Sequence, residues 1–193
     1  MEKTWRWFGP NDPITLDMLR QIGVEGIVTA LHHIPNGEIW TEEEVCKMKD
    51  FITRHGLRWS VVESLPVSEE IKYAGPHRDE LIEKYKISLA NLGKAGVKTI
   101  CYNFMPIFDW TRTDLFHPVG DGSTALYYEA GKIHDDPKEM ADYILNNLHG
   151  MTFPGWEPER MEKLDELFAA YKPVTKEVLW ENLKYFLEAL MPT

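Results

Sequence analysis

The feature of this sequence that most constrains its fold is a regular alternation of strand-like and helix-like segments. Short apolar or aromatic runs are each followed by a stretch with helical spacing of apolar residues. The predicted strands are 5–8, 24–31, 57–64 and 97–104, and the helices that follow them are 14–22, 41–55, 78–95 and 176–190. This alternation predicts an α/β chain with a parallel sheet and right-handed crossovers.

A long segment, 116–173, separates the fourth predicted strand from its helix. Connections between a strand and a helix usually have only a few residues, so a segment of this length needs structure of its own. Its stretches 137–148 and 158–171 both begin with proline and carry helical periodicity. We therefore expect a single domain over 1–193, in which 116–173 is a helical insertion that forms a lid or an oligomer contact.

Composition excludes several classes of protein. With 44% hydrophobic and 27% charged residues, the 193-residue chain is globular and able to bury one core. Its formal charge of −10 argues against nucleic-acid binding. No stretch approaches the roughly 18 apolar residues of a membrane span, and the first residues lack the apolar core of a signal peptide. Cys46 and Cys101 are predicted to be buried thiols, and a cytoplasmic location follows.

Polar residues follow each predicted strand. These sets are GPND at 9–12, HHIPN at 32–36, ESLP at 63–66, and 103–112 within CYNFMPIFDWTRTDL. The carboxyl ends of parallel strands open on one side of the sheet, so the four sets are expected to lie near each other. Ordering such a polar loop is costly unless the loop binds something. The sequence therefore predicts a ligand site at this edge.

Each candidate side chain also has a structural alternative. His32 and His33 point to opposite faces if the chain is extended, so at most one faces the site, as ligand, acid, base or hydrogen-bond donor. Glu63 ends an apolar strand and needs a cation, either from a ligand or from a neighbouring arginine.

The arginines and tryptophans leave similar alternatives open. Arginine can clamp a carboxylate or pair with a nearby aspartate, and tryptophan can stack on a sugar or belong to the core or its rim. The arginines are Arg6 and Arg112, with Asp12, Asp109 and Asp114 as possible partners, and the tryptophans are Trp7, Trp40, Trp59 and Trp110.

Several separated strings resemble the mannonate dehydratase family in order and spacing: TWRWFGPNDP, VTALHHIPNGEIW, WSVVES, CYNFMPIFDWTRTDL, DGSTALYYE and FPGWEPER. The resemblance covers essentially the whole chain. It implies a (β/α)8 TIM barrel of the xylose-isomerase-like type. It also implies conversion of D-mannonate to 2-dehydro-3-deoxy-D-gluconate and water in glucuronate catabolism, with Mn²⁺ or Fe²⁺ as the cofactor.

The chain departs from the family in length, because a complete barrel takes about 250 residues and only four βα units are present here. The family's His, Cys and Asp metal ligands and its principal acid-base groups lie in a later half, with no matching position in this chain. We therefore expect a half-barrel that is inactive alone and whose exposed edges favour association. Three explanations are open for such a half-barrel. The chain is an excerpt of a longer chain, the product of a split or prematurely stopped gene, or a half-barrel that closes by pairing with itself or with a separate second half.

By the resemblance, six residues are expected to line the substrate pocket, and no catalytic or metal-binding residue is assigned. The six are Arg6, His32, Glu63, Asn103, Asp109 and Arg112, with His33, Asn11, Trp110 and Thr111 as further candidates. The expected partners are a small sugar acid and further copies of the chain, with neither nucleic acid nor membrane. The alternatives to a dehydratase are a non-catalytic remnant that binds a sugar acid or a partner, and a sugar isomerase or epimerase.

Overall fold

The computed structural model describes residues 1–108, 112–132, 136, 139, 142–143 and 163–191. The chain divides into two compact units, the first comprising Met1–Phe104 and Val174–Thr193 and the second Met105–Pro173. Within the described ranges, every helix is too short or too polar to traverse a lipid bilayer.

The order of elements follows the predicted alternation, with additions. In chain order they are β1 (Thr4–Arg6), α1 (Leu16–Gln21), β2 (Gly26–Thr29), α2 (Glu42–Arg54), β3 (Arg58–Val62), α3 (Glu69–Tyr73), α4 (Arg78–Lys94), β4 (Thr99–Ile100), β5 (Asp114–Pro118), β6 (Thr124–Tyr127), a 3₁₀ turn (Ala130–Lys132), α5 (Leu164–Tyr171) and α6 (Lys176–Leu190). In the first unit, β1, β2, β3 and β4 form one sheet in that order, and every neighbouring pair is parallel. The prediction of an α/β chain with a parallel sheet is confirmed.

The register of this sheet contains one irregularity. Arg6 pairs with Val28, and Val28 pairs with Val61. One step earlier on β2, Ile27 pairs with Trp59, so β3 carries one residue more than β2 between these pairs. The additional residue is Ser60, and the irregularity is a β-bulge, which bends a strand and changes the side to which its later residues point.

The core of the first unit combines the sheet with helices that come from distant parts of the chain. Ile27 and Val62 of the sheet and Phe186 of α6 are 0% exposed. The Phe186 ring centroid lies 5.1 Å from that of Tyr85 on α4 and 5.8 Å from that of Phe104. Helix α6, which follows the second unit in the sequence, therefore belongs to the first unit and completes the core on its four-stranded sheet.

A buried polar contact also fastens α6. Its Asn182, 7% exposed, donates a hydrogen bond from Nδ2 to the carbonyl oxygen of Lys72 at 2.9 Å. Lys72 lies on α3, and its ammonium group pairs with Glu69 one turn earlier at 3.0 Å. A buried ion pair contributes little net stability unless its groups are well paired, but losing one partner is costly.

The second unit contains a hairpin that the sequence analysis did not predict. Strands β5 and β6 pair antiparallel, and the intervening turn includes Gly122 at φ +85°, a conformation that favours glycine. The segment 116–173 is thus not helical throughout. Of its two predicted helices, 158–171 overlaps α5, while 137–148 lies mostly outside the described residues.

Two further predictions about the first unit are corrected. Both cysteines are free and exposed rather than buried, because Cys46 lies beside the buried Val45 on the solvent side of α2 and Cys101 follows the edge strand β4. That strand has only two residues in place of the predicted 97–104. Thr99 pairs with Val61 and Ile100 with Val62, and the apolar residues on either side lie outside the strand.

Replacing Phe186 by alanine is expected to destabilise the fold by about 3–5 kcal/mol, because a fully buried aromatic side chain is lost and a cavity remains. Urea denaturation monitored by circular dichroism measures the change. Trp180→Ala on the same helix is the control: Trp180 is 61% exposed, so its removal should change the free energy of unfolding by less than about 0.5 kcal/mol. Equal effects of both substitutions would contradict this description of the core.

Candidate functional site

An ion pair joins the carboxyl ends of two strands that are not neighbours. Arg6 is the last residue of β1, and Glu63 directly follows β3. Their side chains meet across the end of β2, where Arg6 Nη2 lies 2.9 Å from Glu63 Oε1. The pair therefore stands at the edge of the sheet where the sequence analysis expects a ligand site.

Backbone pairing and the ring of Phe8 hold Arg6 at the end of β1. The next residue, Trp7, donates its N–H to Val28 O at 2.9 Å, which continues the pairing of β1 with β2. The Arg6 guanidinium lies 4.5 Å from the centre of the Phe8 ring, a cation–π contact. Asp12 is not the partner of Arg6, because its carboxylate accepts the backbone N–H groups of Phe8 and Ile14, each at 2.9 Å.

Glu63 is placed by the sheet itself. Its backbone N–H donates to Thr29 O at 3.0 Å, so the residue is tied to the end of β2. The Arg6 and Glu63 side chains are 42% and 22% exposed, and a pair with this much solvent contact stabilises a fold by about 1 kcal/mol at most. Pairing with a neighbouring arginine, the structural alternative for Glu63, is thus observed, and this arginine ends strand β1. The pair remains accessible to a ligand.

His32 is the third member of this cluster, which we call the strand-end cluster (Arg6, His32 and Glu63). Its pKa is lowered from the usual value, first because protein atoms displace water from part of the ring, although the side chain keeps an exposed face. The charge of Arg6 lowers this pKa further, and the charge of Glu63 opposes the shift. At neutral pH the ring is therefore uncharged, with one nitrogen that donates and one that accepts.

His33 points away from the strand-end cluster. Its Nε2 lies 2.9 Å from Glu44 Oε2, and the other carboxylate oxygen of Glu44 accepts a hydrogen bond from Lys47 at 2.7 Å. His33 thus bonds outside the strand-end cluster, but the two histidines lie in a turn rather than in the extended chain that the prediction assumed, so which of them faces a ligand stays a prediction. At the start of α2, Thr41 Oγ1 accepts the Glu44 N–H, while the Glu44 carboxylate turns to His33.

The other predicted pocket residues are distributed between the two units. In the first unit, Asn103 is half-buried beyond β4, and Asn11 is exposed in the loop after β1. Arg112 belongs to the second unit, where it precedes β5. Asp109, Trp110 and Thr111 lie outside the described residues.

The described tryptophans among the candidates belong to the core. Trp7, Trp40 and Trp59 are 2%, 1% and 6% exposed, so they cannot offer a ring face to a sugar. The prediction that these three tryptophans stack on a sugar is therefore wrong, and the alternative that they belong to the core is confirmed. Sequence reasoning missed a different aromatic residue, Phe8, whose ring supports Arg6. The signal was present, because residues two apart in an extended chain share a face.

The described residues do not form a metal site. Within them, no group of three or more His, Cys, Asp or Glu is placed to hold a metal ion. The strand-end cluster instead offers a cation, a carboxylate and a neutral imidazole. Such a set can bind an anionic group through Arg6 and hydroxyl groups through Glu63 and His32, as a polyhydroxylated acid requires.

Comparisons with known proteins agree on one family. The family model for D-mannonate dehydratase (UxuA) matches residues 1–193. Mannonate dehydratase 1 of Bacillus licheniformis is 54% identical over 196 residues, covering 100% of this chain and 53% of the relative. The mannonate dehydratase of Endomicrobium trichonymphae is 52% identical over 195 residues, covering 100% and 54%. The chain spans about half the length of these curated relatives.

A solved structure extends the similarity to the fold. The crystal structure of mannonate dehydratase from Streptococcus suis serotype 2 superposes on this chain with a TM-score of 0.82 at 40% sequence identity. The match covers 100% of this chain and 50% of that structure.

Replacing Glu63 by glutamine is expected to lower the pKa of His32 further. The Glu63 carboxylate favours the protonated imidazolium, so its removal leaves burial and the Arg6 charge unopposed. Titration of the His32 ring signals by NMR measures the shift. Glu2→Gln is the matched control: Glu2 also pairs with an arginine on the sheet, Arg58 at 3.0 Å, but at the opposite end of the strands, so its replacement should leave the His32 titration unchanged. A His32 pKa that rises or stays constant in Glu63→Gln would contradict the geometry of the cluster.

Proposed function

The chain belongs to the D-mannonate dehydratase family, and from that premise we propose that it forms part of an enzyme that removes water from D-mannonate. The product is 2-dehydro-3-deoxy-D-gluconate. The observation that carries this proposal is the family match over all 193 residues. Since the chain spans about half the length of the curated relatives, the activity is proposed for a protein that includes the remaining part as well.

We further propose that this chain supplies the first four βα units of a TIM barrel of the xylose-isomerase-like type, a single domain with 116–173 as an insertion. Two features of the first unit support this. Its four parallel strands lie in sequential order, as successive strands of such a barrel do. Within the described residues, β1 and β4 each have one neighbour only, so both edges are open to further strands.

The roles proposed for the strand-end cluster follow from its chemistry. Arg6 binds the carboxylate of the sugar acid, since its planar guanidinium keeps further N–H donors when one nitrogen is paired with Glu63. Glu63 accepts a hydrogen bond from a substrate hydroxyl, and the neutral His32 donates or accepts another. Asn103 is proposed as a further contact, and Asp109 and Arg112 stay proposals that rest on the family resemblance.

Dehydration requires a base, an acid and a group that stabilises developing negative charge. A base must remove the proton from the carbon beside the carboxylate, and an acid must assist the loss of hydroxide from the next carbon. Negative charge then accumulates on the carboxylate oxygens, where the Arg6 guanidinium can stabilise it more strongly than in the ground state. We assign neither the acid nor the base to a residue of this chain.

A divalent ion, Mn²⁺ or Fe²⁺, belongs to the proposal for the whole protein. The described residues of this chain do not fit such an ion, because they bring no three potential ligands together. The glucuronate pathway, a cytoplasmic location and assembly into a homo-oligomer are likewise proposals.

The first test is complementation. The 193-residue chain with Mn²⁺ is expected to show no conversion of D-mannonate, because the described residues hold no cluster of metal ligands. Co-expression with the part of the Bacillus licheniformis relative that this chain does not match should yield product, measured by chromatography. Turnover by this chain alone would contradict the proposal. An isomerised or epimerised sugar acid in place of the dehydrated product would favour an isomerase or epimerase.

The second test concerns Arg6 in the complemented protein. Arg6→Lys keeps a positive charge but loses the planar set of donors, so KM for D-mannonate should rise by about 10-fold or more. Arg58→Lys is the matched control: Arg58 also lies on the sheet and pairs with a carboxylate, that of Glu2 at 3.0 Å, but at the opposite end of its strand. An unchanged KM in Arg6→Lys would show that Arg6 does not bind the substrate.

A binding module without catalysis is the second candidate, favoured by the lack of a metal-ligand cluster among the described residues. Calorimetry of this chain with D-mannonate, with and without Mn²⁺, separates the two. Saturable binding that is independent of metal, together with no turnover after complementation, would favour the binding module.

A further inference from the structure

The β-bulge at Ser60 determines which side of the sheet carries Glu63. In a regular strand side chains alternate, so Trp59, Val61 and Glu63 would share one face. Here Trp59 pairs with Ile27, whereas Val61 pairs with Val28, the residue that follows Ile27 and therefore points to the opposite face. The additional residue thus separates Trp59, in the core, from Glu63, on the face of Arg6.

The indole of Trp59 bridges this bulge. Its Nε1–H donates to Val61 O at 3.1 Å, beyond the additional residue on the same strand, and to Thr29 O at 3.3 Å on the neighbouring strand. Thr29 O also accepts the backbone N–H of Glu63 at 3.0 Å. One carbonyl oxygen therefore receives hydrogen bonds from both the Trp59 indole and the Glu63 backbone.

Burial makes this arrangement specific. Trp59 is only 6% exposed, so an indole N–H without a partner would carry a desolvation penalty. Straightening β3 would move the indole away from these acceptors and would bring Glu63 to the face on which Trp59 lies. The position of the indole and the orientation of the Glu63 carboxylate are thus linked through the bulge.

We propose that Trp59 is a positioning residue, whose indole N–H holds the β-bulge that turns the Glu63 carboxylate onto the face of Arg6. The alternative is that Trp59 only fills space in the core. The consequence for substrate rests on the proposed function, but the consequence for the geometry of the strand-end cluster does not.

Trp7, which directly follows β1, supplies a matched control. Trp7 is 2% exposed, as buried as Trp59, and its indole N–H makes no hydrogen bond within the part of the chain that the structure describes. Trp59→Phe and Trp7→Phe therefore each replace a buried indole by a smaller phenyl ring in the same core. Only Trp59→Phe also removes hydrogen bonds across the bulge. A role in packing alone would give both variants the same effect.

The test uses the His32 ring as a reporter of Glu63. If the bulge relaxes in Trp59→Phe, the Glu63 carboxylate leaves the cluster, and the NMR titration of His32 should move to lower pH, towards that of Glu63→Gln. Trp7→Phe should leave the titration where it is in the unmodified chain. A folded Trp59→Phe protein with an unchanged His32 titration would overturn the proposal.

A second variant covers the case in which Trp59→Phe does not fold. Replacing the Trp59 side chain by a 3-benzothienyl group keeps both rings and puts sulfur in place of the N–H, so packing is retained and the hydrogen bonds are lost. The same shift of the His32 titration is expected. Its absence would overturn the proposal.

Kinetics of the complemented protein distinguish this inference from the proposed function. Trp59→Phe should raise KM for D-mannonate by about 10- to 100-fold, the loss typical of a misplaced binding group. A shifted His32 titration with an unchanged KM would support the role of Trp59 in holding the bulge, and it would show that Glu63 does not bind the substrate. An unchanged titration overturns the inference whatever the kinetics.

Discussion

The parallel pairing of β2 between β1 and β3 is the constraint on which the rest of the first unit depends. It aligns Arg6, Val28 and Val61 in one row and thereby gives one face of the sheet its polar end. The same pairing continues past the strands through the backbone bond from Glu63 to Thr29. The strand-end cluster is thus a product of register, because no local contact holds Arg6 and Glu63 together before the sheet forms.

The two faces of this sheet contribute differently. The helix-covered face buries Ile27, Val62 and Phe186 completely, and burial of this kind supplies most of the stability of a fold. The Arg6–Glu63 pair keeps contact with solvent and contributes at most about 1 kcal/mol. The cluster can therefore exchange water or partners for a ligand without endangering the fold, because its support lies on the other face.

Local signals explain which elements were predictable. The predicted range 41–55 contains α2 with its cap Thr41, and α6 has the predicted limits, because caps and helical periodicity are encoded in adjacent residues. Helix α3 was missed because five residues are too few to show a period. The hairpin was missed because β5 and β6 have only five and four residues, too few to show a clear period. Edge strand β4 was overestimated, since its apolar residues continue beyond the paired region.

The alternation of elements, the family motifs and the polar residues after each strand could all be derived from the order of amino acids, because each depends on neighbours along the chain. The partners of those polar residues could not. Arg6 joins Glu63 rather than Asp12, His33 turns to Glu44, and Trp59 lies in the core on the side opposite Glu63. These outcomes depend on strand register and on one additional residue in β3. A shift by a single residue reverses every side chain that follows, and only the packed sheet determines where that shift occurs.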